Sequence, residues 1–516
     1  MYLSLSAQPL RSASPLSLSA QPLRSALALI AVLGVSPGVD AAQLVVDPNC
    51  TGPPPCYTTI QSAVNDATHG DEVFVLSGTY TEQIWIAPPA TNPPEFTLTL
   101  RAEQSGAAPV TVRYDETNQD EDHRGAVVEI FNDSDFAGRP QTKCNDMRVT
   151  IEGFEIFGLG EAAAISMRNQ SLKWGAITNN EIVAMGTEET TDGMTIHHFV
   201  GKIANNRVSG NSEGIHVGYA RLDWRHVEPG APPEVPLLFD TIVEHNLFYC
   251  NPDQHGIHFV HSSKGIVRNN IVVRNINADP NQFGRGIVVG EPPVYDPSDD
   301  ICVADPDECY DKAATGDDEF IVEALVHNNT IQLTDGSGLL IHPEAAVKIR
   351  SNVIRWTGRE GSRAAIGIHP AGQTWPGPDA PDLWDSEFNM LDGNQLDYEH
   401  PSLEGDGDLN KVTGNNSAAF QGLIDPPTAS VSFMLRIDDE SSPCYPEQDN
   451  VRSDAIDVGW DDTNYWDALG GPGLGLRRND MGAYGGPHSF WDPNEVEPCV
   501  EYLQGVGQCW SSPDPQ

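Results

Sequence analysis

Four residues able to carry protons or charge each stand immediately before a glycine: Asp192, Glu213, His255 and Arg285, with Ser337 at the same place in a fifth copy. Two positions after those glycines come Thr195, His216 and His258, then Val288 and Leu340, with His369 in a later copy. If the glycines share a register, these residues form two columns with a step of about 4.8 Å. Adjacent carboxylates in one column would raise each other's pKa, leaving one proton donor and one base. His216 and His258 would serve as a base or as metal ligands near neutral pH. Arg285 would pair with an anionic group on a ligand. The competing reading is that polar residues simply line the exposed face of a repeat, with histidine and asparagine filling turns and ladders.

The elements that must position these residues repeat. The phrase glycine, aliphatic, polar, apolar occurs as Gly193-Met194-Thr195-Ile196, Gly214-Ile215-His216-Val217, Gly256-Ile257-His258-Phe259 and Gly286-Ile287-Val288-Val289. A second phrase begins with Asn180, Asn206, Asn246, Asn270, Asn329, Asn352 and Asn394, spaced 26, 40, 24, 59, 23 and 42 residues apart. The basic step is thus roughly 22 to 26 residues, and longer gaps are coils with inserted loops or an extra coil. Short strands with two-residue alternation at a fixed period specify a solenoid of strands, a parallel β-helix. Asparagine suits its turns because it tolerates left-handed backbone, and stacked asparagines can bond in a ladder. With Met194, Ile215 and Ile257 inward, alternation turns Thr195, His216 and His258 outward, and His197 and His342 share that parity.

Upstream, Ile60, Ala63, Val64 and Ala67 fall on one helical face behind Thr59 as N-cap. The run Tyr57-Thr58-Thr59-Ile60-Gln61-Ser62-Ala63-Val64, then Gly70-Asp71-Glu72-Val73, then Gly78-Thr79-Tyr80-Thr81-Glu82 resembles the opening of the pectate-lyase-like β-helix superfamily. Ser453-Asp454-Ala455-Ile456-Asp457-Val458-Gly459 and Arg478-Asn479-Asp480-Met481-Gly482-Ala483-Tyr484-Gly485 resemble closing motifs of secreted bacterial β-helix proteins. The resemblance implies an all-β, single-stranded right-handed parallel β-helix over 42–425, with an N-terminal capping helix and a C-terminal cap over 426–516. It also implies an acidic, uronate-containing polysaccharide as ligand, cleaved by β-elimination. A polygalacturonase-type hydrolase and a non-catalytic glycan-binding surface protein are the alternatives, with a copper or zinc role for the histidines a further one. Calcium is the cofactor the lyases of this superfamily imply, and it suits an acidic surface. The motifs of individual activities are incomplete. Thr191-Asp192-Gly193, Glu213-Gly214 and His255-Gly256 echo the hydrolase order without its aspartate pair. No lyase arginine motif is present, and Asn251-Pro252-Asp253 is only superficially like the epimerase Asp-Pro-His. Asp192, Glu213, His216, His255, His258 and Arg285 are the expected catalytic residues.

The net charge is −45, which argues against nucleic acid or an anionic membrane as partner. Residues 196–290 are balanced at eight basic and eight acidic, and hold eight of the fifteen histidines. An anionic substrate is repelled least there, which adds His197, His261, Lys264 and Arg268 as expected substrate-binding residues. Arg24, the apolar run Ala26 to Val35 and Val39-Asp40-Ala41 form a signal-peptide pattern over 1–41, behind a duplication of Leu3–Ala13 as Leu16–Ala26. The run is too short to span a membrane. The expectation is a monomeric protein that is secreted, periplasmic or held at the cell surface. Nine cysteines in an exported chain suggest local disulfides, Cys50–Cys56, Cys302–Cys309 and Cys499–Cys509. Insertions Tyr219 to Leu238 and Glu291 to Glu319 are expected to wall the binding face.

Overall fold

The computed structural model describes residues 41–412 apart from interruptions, the longest being 116–125, 132–145, 219–240, 291–321, 369–383 and 399–410. The leader, both long insertions, His261, His369, the C-terminal cap and Cys144, Cys250, Cys302, Cys309, Cys444, Cys499 and Cys509 lie outside the described residues. Among the described residues no helix is long and apolar enough to cross a membrane.

Among the described residues ten coils each contribute a strand to all three parallel sheets, and further strands at the two ends bring the sheets to 12, 11 and 10 strands. In one coil these are Gly201–Ala204 in the first sheet, Arg207–Ser209 in the second and Ile215–Gly218 in the third. The architecture is a right-handed parallel β-helix, the hand that crossovers between parallel strands adopt. Register is strict: Met194, Ile215, Ile257, Ile287 and Leu339 stack, as do Ile196, Val217, Phe259, Val289 and Ile341. All ten point inward and are fully buried. At about 1.5 to 3 kcal/mol for each such side chain, these two inner columns alone are a large part of what holds the coils together.

The corner between the first and second sheets carries the asparagine ladder. Asn180 Nδ2 donates to Asn206 Oδ1 at 3.1 Å, Asn206 to Asn246 at 2.9 Å, and Asn246 to Asn270 at 3.0 Å. The ladder continues through Asn329 and Asn352 to Asn389. The 40- and 59-residue gaps are therefore single coils with insertions, and no extra coil intervenes. Its last rung is Asn389 rather than Asn394, because Met390–Asp392 pairs with Val353–Arg355 while Leu396–Tyr398 belongs to the third sheet. The left-handed position is also not the rung itself. It is the residue before it, Asn179, Asn205, His245, Asn269, Asn328 or Ser351, with φ between 53° and 58°. The rung asparagine serves the stack; its predecessor makes the turn.

The helix Ile60–Asp66 buries Ile60, Ala63 and Val64. Thr59 caps it by accepting from Ser62 N–H, and the Glu82 carboxylate accepts from the N–H groups of Ile60 and Gln61 at 2.8 and 2.9 Å. Its apolar face packs on the strands of the first coil. Cys50 and Cys56 are thiols here. Hydrogen bonding to Cys56 pushes the Cys50 thiol up to about 11, so the pair expected to close a disulfide is in contact.

Candidate functional site

The third sheet carries both candidate columns, in the strands Met194–His197, Ile215–Gly218, His255–Val260 and Arg285–Val289. Backbone register places His216 beside Thr195 and His258, and His255 beside Arg285. Between the columns runs a stack of glycines that only a missing Cβ permits. A Cβ on Gly214 would lie 2.4 Å from the Gly256 carbonyl oxygen, and one on Gly256 would lie 2.8 Å from that of Gly286. Across each of these glycines the residue before it meets the residue two places after it. Asp192 Oδ2 accepts the Thr195 hydroxyl at 2.8 Å, Glu213 Oε2 meets His216 Nδ1 at 3.1 Å, and the His255 and His258 ring centroids are 4.7 Å apart. The same i, i+3 contact recurs in three successive coils.

The columns are therefore one cluster, centred on Glu213. Its Oε1 lies 3.2 Å from His258 Nδ1 and 3.9 Å from His255 Nε2. Arg285 Nη1 stands 3.4 Å from that same His255 nitrogen. His197 extends the cluster, its ring 5.4 Å from that of His216, which is 5.1 Å from that of His258. Side-chain exposure is 6% for Glu213, 8% for His255 and 9% for His258, against 19% for His216. His216 is thus the most accessible imidazole of these three.

Two paired carboxylates raising each other is not what the structure shows for Glu213. Burial pushes its carboxyl up, but the charge of His258, hydrogen bonds from His216 and His258, and the nearby His255 together hold it well below the usual glutamate value. The imidazoles, not a second carboxylate, set its state, and Glu213 is an anion. An anionic carboxylate only accepts, so His216 presents an N–H at Nδ1 to it.

All six expected catalytic residues fall in or beside this cluster. Of the expected substrate-binding residues, His197 does too, whereas Lys264 and Arg268 do not. They lie in Lys264–Arg268 of the first sheet, where Lys264 pairs with Glu323 at 2.6 Å and Arg268 with Glu244 at 2.6 Å. A few residues of chain carry a coil from one sheet to the next, so nearness in sequence to His258 did not mean nearness in space. Sequence reasoning missed Glu129 and Ser166, which stack in the column of Thr195 and are nearly buried. Their signal was the alternation within Val128–Phe131 and Ile165–Arg168.

Two triads, Asp192/Glu213/His216 and Glu213/His255/His258, each place three potential ligand atoms within 4.8 Å of one another. Both include imidazole, unlike the all-oxygen shells that calcium takes.

No family model matches the chain, and no curated protein does. Among solved structures it is similar to the A-module of the mannuronan C-5 epimerase AlgE4 of Azotobacter vinelandii, at 12% identity over 69% of this chain and 90% of that one, TM-score 0.28. It is also similar to Escherichia coli YbhC, at 12% identity over 78% and 87%, TM-score 0.31. The complex of XylC with xylose gives 10% identity over 75% and 88%, TM-score 0.32. With scores this low, the fold of this chain rests on its own strand register. That register is the three-sheet parallel β-helix implied by the pectate-lyase-like opening motif.

Proposed function

We propose that this chain is an exported protein that binds an acidic, uronate-containing polysaccharide and cleaves it by β-elimination. The observation that carries the reading is the Glu213–His216 pair: a buried anionic carboxylate holding a partly exposed imidazole by its Nδ1. Such a carboxylate fixes the tautomer and strengthens the base. His216 Nε2 takes the proton at C5 of the uronate, next to its carboxylate. The electron pair forms the C4=C5 double bond, the C4–O glycosidic bond breaks, and the leaving oxygen receives a proton from the His216 imidazolium. Arg285 pairs with the uronate carboxylate, so negative charge developing there is offset.

The hydrolase reading has one observation of its own, the carboxylate oxygens of Asp192 and Glu213 within 4.8 Å. A hydrolytic pair needs one carboxyl held protonated as the acid, at separations of about 5 Å or more. Glu213 is held in the opposite direction. Elimination therefore ranks first.

The test is a panel of pectate, alginate and glycosaminoglycans, each with calcium and with chelator, followed by ultraviolet absorbance of the unsaturated uronate and by reducing ends. Both signals rising together supports elimination. Reducing ends without absorbance moves the protein to the hydrolases. Retention on a uronate column with neither signal makes it a binding protein.

A further inference from the structure

From the same cluster we infer that Glu213, His255 and His258 form a binding site for a divalent transition metal, with zinc the best match to the donors. The inference concerns the site of the proposed elimination but does not depend on that chemistry, because metal binding is read without substrate.

The geometry comes first. Glu213 Oε1 stands 3.2 Å from His258 Nδ1 and 3.9 Å from His255 Nε2. Ligands bonded at about 2.0 to 2.2 Å in a tetrahedron stand roughly 3.3 to 3.5 Å from one another, inside that bracket. The three residues sit on neighbouring coils whose backbones are locked by the Ile215–Ile257 register, so the set is assembled before any ion arrives. All three side chains are more than nine-tenths buried, which removes the water that would otherwise compete for the ion. Two imidazole nitrogens and one carboxylate oxygen suit zinc, copper or nickel rather than calcium. Three protein ligands with a fourth position left over is also the composition of catalytic rather than structural zinc sites. His216 stays outside the set, since it bonds the other carboxylate oxygen, Oε2. In that place it steadies the ligand Glu213. Bound there, the ion would supply positive charge for a substrate carboxylate.

One neighbour opposes the ion. Arg285 Nη1 lies 3.4 Å from His255 Nε2, the nitrogen the metal needs. Guanidinium and metal compete for the same lone pair, which gives the inference a test with a definite sign.

The full chain, stripped with chelator, is titrated with zinc by calorimetry and with cobalt(II) by visible absorption. The expected result is one ion per chain, with cobalt bands of a four-coordinate site. His255→Ala and His258→Ala each weaken binding by about a hundredfold or more, Arg285→Gln strengthens it roughly tenfold, and His245→Asn at the corner between the first and second sheets leaves it unchanged. His255→Gln and His258→Gln replace the alanine variants if circular dichroism shows either of those unfolded. The inference is overturned if the wild-type chain takes up neither ion, or if both histidine variants retain wild-type affinity. It is equally overturned if Asp192→Asn abolishes binding and the histidine variants do not, which would put the ion on the other side of Glu213. Uronate elimination measured on the same samples keeps the two readings apart: zinc binding without elimination removes only the elimination, and elimination without zinc binding removes only the metal site.

Discussion

Glu213 and Glu244 are both nearly buried carboxylates on the outer side of the same solenoid, and both are held ionised, yet they keep different company. Around Glu244, burial pushes the carboxyl up while the Arg268 charge, a hydrogen bond from Lys202 and His245 bring it below its ordinary value. Arg268 supplies Nε and Nη2 to one oxygen, each at 2.6 Å, and Lys202 holds the other. Arg268 and Lys202 stay cationic through the working pH range, with His245 Nδ1 farther off at 3.8 Å. Around Glu213 the partners are imidazoles, which gain and lose protons near neutrality and can also bind metal. The Glu244 group is therefore a fixed brace across three coils. The Glu213 group has the same burial and chemistry to spare.

The largest expected effect separates the two. Glu213→Gln should lower the elimination rate by about 10² to 10⁴-fold. Glu244→Gln, on another sheet, should leave that rate alone. Equal losses in the two variants would erase the distinction. For stability the order reverses. Glu244→Gln leaves Arg268, largely covered with its side chain 12% exposed, without its counter-ion and should cost about 3 kcal/mol in urea denaturation. A change under about 1 kcal/mol would make the brace ornamental.

Asn246→Ala belongs to neither cluster and calibrates both. It strips the acceptor from the backbone N–H and Nδ2 of Asn206, two buried donors, for an expected loss of about 2 kcal/mol. A loss larger than that of Glu244→Gln would place the main bracing in the ladder instead. The smallest effect lies in acid. The folded pKa of Glu244 is depressed, so its contribution is complete above the ordinary glutamate value of 4.5 and is lost as the pH falls through the folded value. Urea midpoints measured at descending pH should therefore fall less steeply for Glu244→Gln than for the wild-type chain. Identical slopes would show that Arg268 and Lys202 do not hold that proton off.

The solenoid was legible because its repeat is written twice, in glycines and in asparagines, and because inward residues alternate without exception through Met194–His197 and Ile215–Gly218. The membership of the cluster was legible for the same reason, since a column needs only register. Its internal contacts were not. Strict alternation puts His255 and His258 on opposite faces, and nothing in composition announces that their rings meet across Gly256, 4.7 Å apart. The pKa of Glu213 was misjudged for a related reason. Counting Asp192 as its neighbour ignored the three imidazoles of His216, His255 and His258. Lys264 and Arg268 show the converse error, where a basic residue close in sequence had already turned the corner onto another sheet.

The asparagine ladder has a direction. Every rung donates its Nδ2 to the next coil, from Asn180 to Asn389, where the last amide finds the Ser386 hydroxyl and the Ile349 carbonyl. Backbone N–H groups follow the same rule, each rung's amide resting on the side chain of the coil ahead. The second hydrogen of each amide points the other way, to a carbonyl of the coil behind, as Asn206 Nδ2 does to Ile177 and Asn246 Nδ2 to Ile203. Each rung therefore ties the coil ahead and the coil behind at once, and removing a coil on either side leaves buried donors of its neighbour without their acceptors.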